Sequence, residues 1–110
     1  ISNNMESKIY KKIESNKIII ARRLDLHGYS LEQSFDLLLN FLHQAYKDNL
    51  RYVLIIVGKG VNNQGVLQIN VPRWLRTVPN MAKYVSAVTH AAPKHGGKGA
   101  LYVRLKKSLS

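Results

Sequence analysis

Cysteine is absent from this chain of 110 residues, which excludes disulfides and thiolate-held metals. The absence fits a reducing compartment, and the cytoplasm is the expected location. Acids are scarce as well: six Asp and Glu stand against 17 Lys and Arg, for a formal net charge of +11. Two-metal nuclease centres gather several carboxylates around hard cations. Of the six acids only Asp25 sits beside a motif, since Glu32, Asp36 and Asp48 fall in one helix-like stretch. No metal-ligand set and no cofactor is therefore expected, although a single Mg²⁺ held partly by substrate phosphate is compatible with these residues. Neither the zinc spacing H-E-x-x-H nor a Walker phosphate loop occurs. No apolar run reaches the roughly 18 residues of a membrane span. Ile1 to Lys17 also lacks the long apolar stretch of a signal peptide, so no membrane partner is expected. There is no internal repeat.

What is present is enough apolar residue, 45% of the chain, to build a core rather than a disordered basic tail. The length suits one domain. Such a cationic excess is more than a small acidic substrate requires, and it points to nucleic acid. Residues 1–20 read as a polar arm, with helical spacing at Met5, Ile9 and Ile13; residues 21–107 read as the domain and 108–110 as a tail. Arg22 to His27 reads as a strand. Ser30 and Gln33 form a capping-box pattern that opens a helix, with Leu31, Phe35, Leu38, Leu42 and Ala45 as its buried stripe. Tyr52 to Val57 has the continuous apolar character of an interior strand. Val61 to Gly65 reads as a loop and Val66 to Val78 as helical, with Pro72 either kinking it or starting a second helix. Tyr84–Ala91 and Gly99–Lys106 complete the strands. The expected fold is α/β, a two-layer βαβαββ sandwich: a four-stranded mixed sheet with two helices packed mainly on one face. The first helix is long enough for a right-handed crossover between parallel strands.

Such a sandwich leaves part of one sheet face open. With Leu24, Leu26, Leu101, Val103 and Leu105 toward the helices, that open face would display Arg23, Asp25, His27, Tyr102, Arg104 and Lys106. Asp25 and His27 are two residues apart, so a strand places them on one side. A carboxylate beside an imidazole orients the ring and favours its charged form, which is how proton-transfer sites are prepared. The same two residues would also make an ordinary exposed ion pair. Gly58-Lys59-Gly60 ends the second strand, either as a plain turn or with amides directed at a phosphate. His95-Gly96-Gly97-Lys98-Gly99 enters the last strand, either as a flexible connection or as a second phosphate-cradling nest. His95 is then a second proton-transfer candidate, or else a solvated loop histidine. His43 reads as a surface residue, and Trp74 as core rather than a base-stacking platform.

Leu24-Asp25-Leu26-His27-Gly28, Gly58-Lys59-Gly60, Val71-Pro72-Arg73-Trp74-Leu75 and His95-Gly96-Gly97-Lys98-Gly99-Ala100-Leu101-Tyr102-Val103 occur in that order. Together they resemble the Smr domain, named for small MutS-related proteins, over roughly residues 22–106. The resemblance implies a βαβαββ fold and endonuclease activity, as DNA nicking in some members and RNA cleavage at ribosomes in others; some members only bind nucleic acid. The family's L-D-x-H pair falls on Asp25 and His27, its T-G-x-G loop on Val57-Gly58-Lys59-Gly60, and its H-G-G element on His95, Gly96 and Gly97. Val57 replaces the usual threonine, which removes that hydroxyl. With so few carboxylates, RNA is the favoured substrate, because its own 2′-hydroxyl can act as nucleophile. His27 would then be general base or acid, Asp25 its orienting group and His95 the second proton-transfer group. The glycine loops with Lys59 and Lys98 would hold the phosphate. The alternatives are metal-dependent nicking of branched or duplex DNA, and a non-catalytic module that docks on RNA or DNA. A ribosome is an expected partner under the first reading.

Overall fold

In the computed structural model, which describes residues 4–15, 18–59 and 65–108, the described residues form, in order, α1 (Asn4–Glu14), β1 (Arg22–Asp25), α2 (Leu31–Lys47), β2 (Tyr52–Ile56), α3 (Val66–Thr77), α4 (Pro79–Ala82), β3 (Val85–His90) and β4 (Ala100–Leu105), with two 3₁₀ turns, Pro93–His95 and Gly97–Gly99, between β3 and β4. The sheet order is β1-β2-β4-β3. β1 runs parallel to β2, and β4 runs antiparallel to both of its neighbours. This is the expected mixed sheet. β2 is central because it can be: Val53, Leu54 and Ile55 are buried on alternating faces, so only an interior position hides them all.

Val53, Ile55, Val57, Leu101, Val103 and Leu105 meet Leu38, Leu42 and Ala45 of α2 and Leu67, Val71 and Leu75 of α3 in one core. Ser30 caps α2 as its sequence pattern requires: its Oγ accepts from the Gln33 amide at 3.1 Å, and the Gln33 side chain accepts from the Ser30 amide at 3.0 Å. The buried stripe begins later than its spacing implies. Leu31, in the first turn, remains 40% exposed, and full burial starts at Ser34 and Leu38. Pro72 lies inside α3 rather than opening a new helix. The short α4 follows at Pro79, where the proline occupies a first-turn position that needs no amide donor.

The second sheet face differs from expectation. α1 packs across it, chiefly over β3, and Ile9 and Ile13 join Leu54, Ala87, Ala100 and Tyr102 in a second buried cluster. Residues on the expected open face are therefore sorted into two groups. Arg23 and Asp25, on the edge strand β1, stay exposed. Tyr102, on β4, is buried at 1% exposure with the Tyr10 ring 6.1 Å away, so it is not a stacking platform for bases. Arg104 is half-buried, and its Nε donates to Ser86 Oγ at 2.8 Å. The register corrects a second expectation. Asp25 pairs with Ile56 and Ile56 with Ala100, whereas Arg104 pairs with Tyr52 at the other end of β2. Four residues along the strands place Arg104 about 13 Å from the Asp25 row, and Lys106 farther still. Neither cation borders the acid–histidine pair.

Candidate functional site

The β1 ladder ends with the Leu26 amide on Ile56 O at 2.8 Å, and the chain then turns at His27-Gly28. Asp25 organises that turn. Its Oδ1 accepts both the His27 backbone amide at 3.0 Å and the His27 ring Nδ1 at 2.6 Å. A side-chain oxygen bonded two residues ahead in the backbone is an Asx-type turn, so a turn rather than a continued strand brings the two groups together. With Nδ1–H given to the carboxylate, the neutral ring carries its lone pair on Nε2. His27 is 69% exposed, leaving that nitrogen accessible to a substrate.

The two glycine loops converge on this turn. Gly99 O accepts from the amides of Val57 at 2.8 Å and Gly58 at 3.1 Å, which binds the loop after β2 to the loop before β4. Gly58 adopts φ +77°, and a Cβ there would stand 3.1 Å from the His27 Cβ. Glycine is thus required twice over, for the left-handed backbone and for the approach of His27. Val57 turns its side chain into the core. Lys59, Gln68, Pro93, Gly96, Gly97 and Lys98 line an open groove of about 450 Å³ beside these loops. Gly60 lies outside the described residues, as do residues 61–64 of the expected loop.

His95 sits in a short 3₁₀ turn, Pro93–His95, followed by Gly96 at φ +118°. The buried Tyr102 hydroxyl lies 2.5 Å from its Nδ1 and accepts from the Ala92 amide at 3.1 Å. If the tyrosine donates its proton to Nδ1, His95 presents Nε2–H, the complement of His27. Burial lowers the pKa of His95 below its ordinary 6.5, with Lys94 and Arg23 adding repulsion. The sign follows: between 6.5 and the lower folded value, the unfolded chain binds more protons than the native one. Stability is therefore expected to fall as pH drops through that window and to level off below it. Denaturant titrations at several pH values should show this dependence reduced in His95→Gln.

Sequence reasoning missed one participant and misplaced another. Gln68, in the first turn of α3, donates from Nε2 to Gly58 O at 2.8 Å and forms one wall of the groove. Only its position just after the glycine loop hinted at it. Tyr102 was found, but as a surface group rather than the buried support of His95. His43 is exposed and bonds Tyr84 OH through Nδ1 at 2.8 Å, and Trp74 packs edge-on against Phe35 beside the core. Among the described residues, no helix is long and apolar enough to cross a membrane.

The Smr domain family model matches residues 24–106. The chain is 33% identical over 107 residues to a protein of Escherichia coli K12 named probable DNA endonuclease SmrA, covering 94% of this chain and 55% of that protein. It is 34% identical over 92 residues to endonuclease MutS2 of Staphylococcus carnosus, covering 84% of this chain but 11% of the relative. The chain thus spans about half the length of the first of these relatives and a small part of the second. Among solved structures, YdaL, a stand-alone small MutS-related protein from Escherichia coli, superposes with a TM-score of 0.74 at 33% identity, covering 96% of this chain and 80% of YdaL. The Smr domain of Thermus thermophilus MutS2 gives a TM-score of 0.69 at 26% identity, covering 78% of this chain and 99% of that domain.

Proposed function

The chain belongs to the Smr domain family, and from that premise we propose that it is a nucleic-acid endonuclease that prefers RNA. One observation carries the reading: Asp25 holds His27 by Nδ1 and leaves Nε2 accessible beside glycine loops and a groove lined by Lys59 and Lys98. His27 Nε2 takes the proton of a ribose 2′-hydroxyl, whose oxygen attacks the adjacent phosphorus. His95, as the imidazolium, gives its Nε2 proton to the departing 5′-oxygen and is left as the neutral ring. The bond to that oxygen breaks, leaving a 2′,3′-cyclic phosphate and a 5′-hydroxyl. Asp25 keeps His27 in one tautomer and opposes the positive charge that develops on it. The lysines and loop amides stand against the charge on the phosphate. Messenger RNA presented by a ribosome falls within this substrate class, and a ribosome could supply positioning that the isolated chain lacks.

RNA is favoured over DNA because its nucleophile comes with the substrate. Among the described residues, no three His, Asp or Glu side chains gather as a metal-ligand set would. A second reading, metal-dependent DNA nicking with Asp25 as a ligand, draws support from the relative named a probable DNA endonuclease. The test is cleavage of labelled single-stranded RNA and matched DNA, with EDTA or with Mg²⁺, by the parent and by Asp25→Ala/His27→Ala. RNA cut in EDTA to cyclic-phosphate ends, by the parent alone, is the expected result. Cutting that appears only with Mg²⁺ and leaves 3′-hydroxyl ends would replace the first reading with the second. Binding without cutting under any condition would leave a nucleic-acid-binding module.

A further inference from the structure

The helix that covers the second sheet face also builds a cationic groove there. Lys8 and Lys12 lie one helical turn apart on α1 and flank the buried Ile9. They line an open cavity of about 230 Å³ with Tyr52 of β2 and Arg104 of β4, which are register partners. No acid is among the described residues that line it. Like charges one turn apart repel and weaken a helix, so this arrangement is costly without an anion.

We propose that this groove is a second binding site for the sugar–phosphate backbone of a single-stranded nucleic acid, engaging the strand at a distance from the His27 turn. The inference rests on the nucleic-acid reading above. Three observations support a path between the two sites. Asp25 and Arg104 occupy the same sheet face, since Leu24 on one side and Val103 and Leu105 on the other pack into the opposite core. Their rows are about 13 Å apart along the strands, and two strand spacings, about 10 Å, separate β1 from β4. Arg23 stands exposed on that face two residues before Asp25, between the sites. Tyr52 gives the groove an aromatic wall, and cations lining a track with an aromatic for base or ribose contact are the usual means of holding single strands without sequence preference. The two sites together would favour a substrate long enough to reach both.

The experiment compares the full chain with Lys8→Gln/Lys12→Gln, measuring binding of fluorescein-labelled oligouridylates of 4 and 16 nucleotides across a salt series. For the long probe, affinity is expected to fall about 10-fold at 0.1 M salt, and the slope of log K against log salt to shrink by about 1.4, for two lost phosphate contacts. For the short probe, held at the groove lined by Lys59 and Lys98, little should change. Lys59→Gln/Lys98→Gln should weaken both probes. Lys47→Gln/Lys83→Gln, which removes equal charge from exposed positions elsewhere, should weaken neither strongly. An unchanged long-probe slope in Lys8→Gln/Lys12→Gln, or an equal loss in Lys47→Gln/Lys83→Gln, would overturn the second site while leaving the first intact. A parent chain that binds neither probe would remove the nucleic-acid reading and this site together.

Discussion

Cleavage by His27→Ala is expected to fall about 10²- to 10⁴-fold, the usual contribution of a positioned general base or acid. The substitution should leave folding intact. His27 is exposed, lies in a turn beyond β1 and contributes nothing to either buried cluster. Nor should it much reduce affinity, because Lys59 and Lys98, not the imidazole, supply the fixed positive charge at the groove. Asp25→Asn should give a smaller loss, since an amide oxygen can still accept from the His27 amide and ring but no longer opposes the charge developing there. Single-turnover cleavage under saturating protein separates these effects from binding. If His27→Ala cut at the parent rate, the acid–histidine pair would be an exposed ion pair and the chemistry would have to be sought elsewhere. If instead it lost binding and cleavage in proportion, the ring would be a contact residue rather than a proton carrier.

The strands and helices facing the first core were legible because their periodicity answers to burial alone. The continuous apolar run Tyr52–Val57 read as an interior strand, found as Tyr52–Ile56, and the S-x-x-Q pattern at Ser30 marked the start of α2 to the residue. The pairing of Asp25 with His27 was legible too, although the expected strand alternation reached it by a different route from the turn that forms it. What could not be read was the partner of the second face. α1 is short and dominated by polar residues, and Ile9 and Ile13 acquire meaning only once Leu54, Ala100 and Tyr102 need a cover. That one omission explains the misplacement of Tyr102. In an alternating strand an outward tyrosine looks the same whether it meets solvent or another helix. The separation of Arg104 from Asp25 was hidden for a different reason. It depends on the antiparallel register of β4 against β2, which no local pattern specifies.

Gly99→Val carries the other large expected effect, and it follows from how the site is assembled rather than from any reacting group. A Cβ on Gly99 would meet the Gly58 carbonyl carbon and oxygen at 3.2 Å and Lys59 Cγ at 3.3 Å. The lysine can yield, but the Gly58 backbone cannot move freely. It bonds back to Gly99 O through its own amide, is held by Gln68 through its carbonyl, and lies against His27. Alanine would push this joint by a few tenths of an ångström, while the branched valine would force it apart. Overpacking of this kind typically costs about 1–3 kcal/mol. The catalytic penalty should be larger than the stability cost suggests, because displacing a reacting group by about 1 Å can reduce rate about 10²-fold. Gly97→Ala is the informative contrast. Nothing stands within 4 Å of its added Cβ, and only the backbone at φ +55° objects. That strain costs about 1–2 kcal/mol without moving His27. Thermal denaturation and single-turnover cleavage of both variants should therefore dissociate: comparable losses of stability, but a far greater loss of cleavage in Gly99→Val. Equal cleavage by the two would mean that the contact between the glycine loops stabilises the fold without positioning His27.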